Sequence, residues 1–136
     1  MDSSVLVYAM DPTTNEHMKS RDAILKHEGW AVNPTVVHEV YHSLVFKRKM
    51  TAEDASSKIN AFVRDRRTRF LNITRAISVY SIDLAVRFSM GGRDSLIVGC
   101  YMHNGVDRLL THDKELLKLR RIDFRDRRIV FEDPIF

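Results

Sequence analysis

Four acidic residues each abut an apolar run in this chain. The frames are Asp2-Ser-Ser-Val-Leu-Val-Tyr-Ala, Val37-His-Glu39-Val-Tyr, Asp94-Ser-Leu-Ile-Val-Gly and Arg108-Leu-Leu-Thr-His-Asp113. Burying an unpaired carboxylate costs on the order of several kcal/mol. A fold that buries these runs must therefore carry the four acids to the rim of its core. A lone acid of this kind is a helix cap or a solvated residue. Four of them, expected at a strand start, on a helix, at a helix start and at a strand end, point to a cluster that holds a cation. Carboxylates without cysteine suit hard divalent ions, Mg²⁺ or Mn²⁺. The chemistry that most often uses such a site is phosphodiester cleavage, with metal activating water and stabilising the leaving oxygen.

The 136 residues are expected to form a single domain, 1–136, with one sizeable core. Apolar stretches such as Val5–Met10 are far too short to span a bilayer, and no secretory leader is read at the start. The lone Cys100 excludes an internal disulfide and reads as a small core residue. These features together indicate a cytoplasmic protein. The net charge of +4 is unevenly spread. Basic clusters lie at Arg64, Arg66, Arg67 and Arg69, at Lys47-Arg48-Lys49, and between Arg120 and Arg128. One cluster is an ordinary solvated face; three, beside acids that would repel phosphate, favour a polyanionic substrate.

Val5–Met10 is apolar without alternation and predicts a strand of a covered parallel sheet. A helix to about His27 follows the Asp11-Pro-Thr-Thr-Asn turn, and Gly29 stops it. Asn33-Pro34 supplies an N-cap and an N1 proline for a helix to about Lys49. Thr51-Ala-Glu-Asp54 opens a third helix, to about Arg67. Phe70–Ile73 and Ala76–Tyr80 have strand-like content, and Ser81 is expected to cap a short helix to Met90. After Gly91-Gly92, a helix over Arg93–Asn104, a strand over Arg108–Thr111, a helix over Lys114–Leu119 and a strand over Ile129–Phe131 complete the pattern. Alternating strands and helices with short connections predict an α/β fold around a mainly parallel sheet, with ligands beyond the carboxyl ends of the strands.

A rival motif crosses the second acid. His38-Glu39-Val-Tyr-His42 matches H-E-x-x-H, in which two histidines ligate zinc and the glutamate serves as general base of a metalloprotease. The match rests on three fixed residues in a chain with six histidines. No third ligand follows at a suitable position, and the motif leaves Asp2, Asp94 and Asp113 without a role. Two histidines flanking a functional Glu39 is the stronger reading.

In order and rough spacing, the four frames resemble PIN-domain ribonucleases, specifically VapC-type toxins of toxin–antitoxin pairs. The resemblance covers almost the whole chain. It implies a three-layer α/β/α fold, dependence on Mg²⁺ or Mn²⁺, and hydrolysis of RNA phosphodiesters. It assigns catalysis and metal coordination to Asp2, Glu39, Asp94 and Asp113, with Thr111 and Ser4 supporting them; Ser4 stands where Asn or Asp is common. A cognate antitoxin and a homodimer are implied partners. Arg93, Arg64, Arg66 and Arg67 are candidate RNA-backbone contacts. A non-catalytic PIN-type RNA- or protein-binding module is the alternative from another class, and intact acids at all four positions oppose it.

Overall fold

The structure, a computed structural model, describes residues 1–135, so the last residue of the expected 1–136 unit lies outside the description. The chain forms α1 (Ser3–Met10), α2 (His17–Leu25), β1 (Trp30–Val32), α3 (Pro34–His42), a π-helical turn (Ser43–Lys47) that continues α3, and α4 (Ala52–Arg64). Then come β2 (Thr68–Phe70), α5 (Arg75–Phe88), α6 (Gly92–His103), β3 (Arg108–Leu110), α7 (Lys114–Leu119), β4 (Arg121–Phe124) and β5 (Arg127–Glu132). β1 pairs in parallel with β2, β3 pairs in parallel with β5, and β4 lies antiparallel on β5. The expected α/β class with a mainly parallel sheet is what the chain adopts.

Met1 and Asp2 bridge the two groups of strands. The Met1 amine donates to the Ala31 carbonyl of β1 at 2.9 Å, and the Asp2 N–H donates to the Leu110 carbonyl of β3 at 3.0 Å. The buried Tyr101 hydroxyl fastens the same point: it accepts from the Met1 amine at 3.0 Å and donates to the Met1 carbonyl.

The predicted strand over Val5–Met10 is instead α1. Apolar residues without alternation suit a helix buried on most sides as well as a strand, and periodicity alone does not separate the two. Here Asp2 caps the helix, accepting from the Ser3 N–H at 2.8 Å, while Val5, Leu6, Val7 and Met10 are buried. Ala76–Tyr80 is likewise helical. Thr74 accepts from the Ile77 N–H at 3.2 Å and opens α5 seven residues before the expected Ser81 cap. Ile77, Tyr80, Ser81 and Leu84 then follow helical spacing into the core, so the β-branched content misled. The strand-like signal over Phe70–Ile73 corresponds to β2, shifted upstream.

Two strands carried too little signal to be predicted. β1 is three residues long directly after Gly29. The β4–β5 hairpin turns on Arg125 and Asp126, with φ of 50° and 63°, which is the work of a two-residue turn usually given to Asn-Gly.

α5 and α6 pack most closely at Gly99. A Cβ there would lie 2.4 Å from Ser81 Oγ and 3.1 Å from Ser81 Cα, so glycine sets the interhelical distance. Gly99→Ala is expected to destabilise the protein by about 1–3 kcal/mol, since part of the clash is with backbone that cannot swing away. Chemical denaturation checks this; an unchanged midpoint would show the two helices to be free to separate.

Candidate active site

Asp2, Asp94 and Asp113 are positioned by the starts of helices, and Glu39 by the body of α3. Asp2 is nearly buried, 6% exposed. Its Oδ1 accepts from Ser3 N–H, and its Oδ2 accepts from the Thr111 hydroxyl at 2.6 Å and the Ser4 hydroxyl at 3.4 Å. Thr111 Oγ1 in turn accepts from the Asp113 N–H at 3.0 Å, so one buried hydroxyl ties the first acid to the fourth. Asp113 caps α7 by accepting from the Glu115 N–H at 2.8 Å. Ser4 Oγ accepts from the His112 N–H at 3.0 Å, stitching α1 to the segment after β3. Glu39 lies on α3, which Asn33 caps immediately after β1. Asp94 lies in the first turn of α6 and Arg93 beside it; the Arg93 guanidinium donates to Glu39 Oε2.

The four acids sense one another. The Glu39 carboxyl is pushed above its ordinary range by burial; Arg93 opposes that rise, and the charges of Asp2 and Asp94 add to it. Burial also raises Asp94, with the charges of Asp113 and Asp2 reinforcing it and Arg93 opposing. The donor set is thus carboxylate and hydroxyl oxygen with an excess of negative charge, which fits a hard divalent cation in kind. Among the described residues no three His, Cys, Asp or Glu side chains converge closely enough to enclose an ion. Arg93, paired with Glu39, competes with any cation for that carboxylate.

His38 and His42 point away from this reading of zinc. Both are exposed on α3, no third protein ligand joins them among the described residues, and Glu39 faces Arg93 and the other acids. Arg64, Arg66 and Arg67 are not brought to the acids. Arg67 lies where β1 and β2 begin, its carbonyl accepting from the Trp30 N–H at 3.1 Å, at the opposite end of the strands. It is also engaged: its guanidinium makes a two-point contact with Asp65 and lies over the Trp30 ring. A cavity of about 700 Å³ is also remote, at the β4–β5 turn, where Asp123 is already paired with Arg121 and Arg128.

Sequence reasoning missed Asp133, which bonds His112 Nδ1 at 2.9 Å beside the fourth acid. Only the Glu132-Asp133-Pro134 string after the last strand hinted at it.

A family profile described as PIN domain matches residues 1–124. The chain belongs to the PIN domain family. Two solved structures share its fold. The Mycobacterium tuberculosis protein VapC20, described as a sarcin-ricin loop cleaving toxin, superposes with a TM-score of 0.73 at 14% identity, over 87% of this chain and 92% of that one. VapBC2 from Rickettsia felis, solved with a DNA fragment from its promoter, gives 0.67 at 16% identity, over 97% of this chain and 95% of that one. No curated protein sequence matches the chain. No helix among the described residues of this PIN domain is long and apolar enough to cross a membrane.

The raised Asp94 carboxyl fixes the sign of a pH effect. A carboxyl whose folded pKa exceeds its unfolded value favours folding at low pH, and that contribution is lost as pH rises through the folded pKa. Asp94→Asn removes this penalty. In chelator, its melting temperature minus that of the parent is therefore expected to grow more positive from pH 4 to pH 7. A difference that is flat or falls with pH would mean that burial and the neighbouring acids do not raise the Asp94 carboxyl.

Proposed function

We propose that this PIN domain is a divalent-metal-dependent endoribonuclease acting as the toxin of a toxin–antitoxin pair. The observation that carries the reading is that the acids lie within reach of one another's charge: Glu39 is raised by burial and by Asp2 and Asp94, and Asp94 by burial and by Asp113 and Asp2. The family supports it, as does the fold shared with solved toxins.

In this reading the four acids hold Mg²⁺ or Mn²⁺, which when bound supplies an activated water and stabilises developing charge. Water adds to phosphorus, the P–O3′ bond breaks, and the departing oxygen takes a proton to leave a 3′-hydroxyl. The products carry a 5′-phosphate and that 3′-hydroxyl. Thr111 and Ser4 fix the orientation of Asp2, and Thr111 positions Asp113 through its backbone. Arg93 balances Glu39 from an exposed position, and freed from that pair its charge would stabilise negative charge developing on the phosphate.

The partners follow from surface chemistry. The exposed apolar residues Val79, Ile82 and Val86 line one face of α5 and suit a homodimer contact. An apolar groove of about 580 Å³ between α1, α2 and α4, with Leu6, Ile24, Leu25 and Phe62 in its wall, suits an antitoxin segment. A cytoplasmic location accords with the single, buried, free Cys100.

Asp94→Asn and Asp113→Asn are each expected to lower RNA cleavage by more than the roughly 10–100-fold typical of losing a group that only supports a ligand; Thr111→Val should fall inside that interval. Single-turnover assays with Mn²⁺ measure both; full activity in the Asp variants would overturn the four-acid assignment, and a parent that cleaves no RNA would return the chain to a non-catalytic binding module. Arg93→Gln is expected to bind Mn²⁺ more tightly than the parent by calorimetry, because Glu39 no longer has an internal cation to give up. Equal or weaker binding would remove Arg93 as a competitor for the site.

A further inference from the structure

The histidines of the His38-Glu-Val-Tyr-His42 string are not needed by the core. The buried side of α3 and the π-helical turn is made by Val36, Val40 and Leu44. On the other side His38, His42 and Phe46 follow at four-residue spacing, and all are exposed. Phe46 is 63% exposed, a high value for so large an apolar ring, and its centroid lies 5.1 Å from that of His42 at an interplanar angle of 32°.

The stripe starts in the candidate site. A hollow of about 330 Å³ is lined by Thr35, His38, Glu39, His42 and Arg93, so two of the exposed rings share a wall with one of the four acids and its guanidinium partner. From Glu39 to Phe46 the helix advances about 10 Å at 1.5 Å per residue. Its end is basic: Lys47, Arg48 and Lys49 follow directly, and only Arg48 has an acidic partner among the described residues, Asp11 at 3.8 Å. A π-helical turn widens the helix at the point where Phe46 projects, a distortion that recurs at functional sites.

We infer that this face of α3 is a binding track for single-stranded RNA, with unpaired bases stacking on His38, His42 and Phe46 and the flanking backbone held by Lys47 and Lys49. The inference rests on the nuclease reading and deepens it, by naming how the substrate leaves the acid cluster and why it must be unpaired there. Flat rings beside cations are the chemistry of single-strand recognition, because every base offers a face to stack while its phosphates meet the charge. A duplex hides those faces. A protein partner would be served by an apolar patch; this stripe is two imidazoles and one phenyl ring running from an acid site into a basic one.

The test compares binding and chemistry. Phe46→Ala and His42→Ala, each made in an Asp113→Asn background, are titrated by fluorescence anisotropy against a short labelled single-stranded RNA of mixed sequence and against the same sequence as a duplex. Each is expected to weaken single-strand binding about 5- to 20-fold, the lower part of what one stacked base contributes. Duplex binding should not change, which a general loss of folding would not permit. Phe46→Trp should keep the parent affinity. With the acids intact, Phe46→Ala should need about 5- to 20-fold more enzyme than the parent for half-maximal single-turnover cleavage of the single strand. Parent-like single-strand affinity in both alanine variants overturns the track, as does an equal loss on duplex. If the parent cleaves no RNA with Mn²⁺ yet the alanine variants show the selective single-strand loss, the nuclease reading fails and the track stands.

Discussion

The architecture depends on two backbone hydrogen bonds made by its first two residues. β1 with β2, and β3 with β5 and β4, are separate sheets by their own pairing. Met1 bonds to β1 and Asp2 to β3, and this short wedge bridges the two. The Tyr101 hydroxyl holds the wedge from α6, buried so completely that its proton is held far more tightly than a phenol's ordinarily is. Because Asp2 belongs to the wedge, the element that joins the sheets also carries the first acid. Structural continuity and the position of a carboxylate are one constraint here.

Around that point the site is organised by hydroxyls rather than by opposing charges. Thr111 and Ser4 both serve Asp2, and each also accepts from the backbone of the segment after β3. Neutral donors orient a carboxylate without cancelling its charge. Arg93 is the exception, and it sits on Glu39 from an exposed position where it is free to move. The site therefore retains a deficit of positive charge, distributed over groups whose directions are already set.

Much of this was legible in the sequence because helix caps are written locally. Asn33-Pro34, Thr51 and Asp113 start helices where expected, and the frames around Glu39, Asp94 and Asp113 fell on their anticipated elements. The first acid was misplaced relative to its neighbours because Val5–Met10 suits two kinds of buried element. Here a helix begins at Asp2, where a strand was expected. Arg64, Arg66 and Arg67 show a different limit: a run of charge says that a surface is basic, not at which end of the strands it lies. His112 and Asp133 are separated by 21 residues and no local pattern links them. The β-branched residues of Ala76–Tyr80 gave a strand-like signal inside a helix that Thr74 caps.

The close contact of Gly99 with Ser81 has a mechanical meaning beyond stability. Asp94 stands five residues, about 7 Å, up the same helix from that contact, so α6 acts as a rod pinned near its middle. The pin is α5, whose far side bears Val79, Ile82 and Val86. Whatever comes to rest on those residues leans on the beam that fixes the height of Asp94. With no Cβ at Gly99, no side chain stands between the two helices at that contact to take up a change in their spacing.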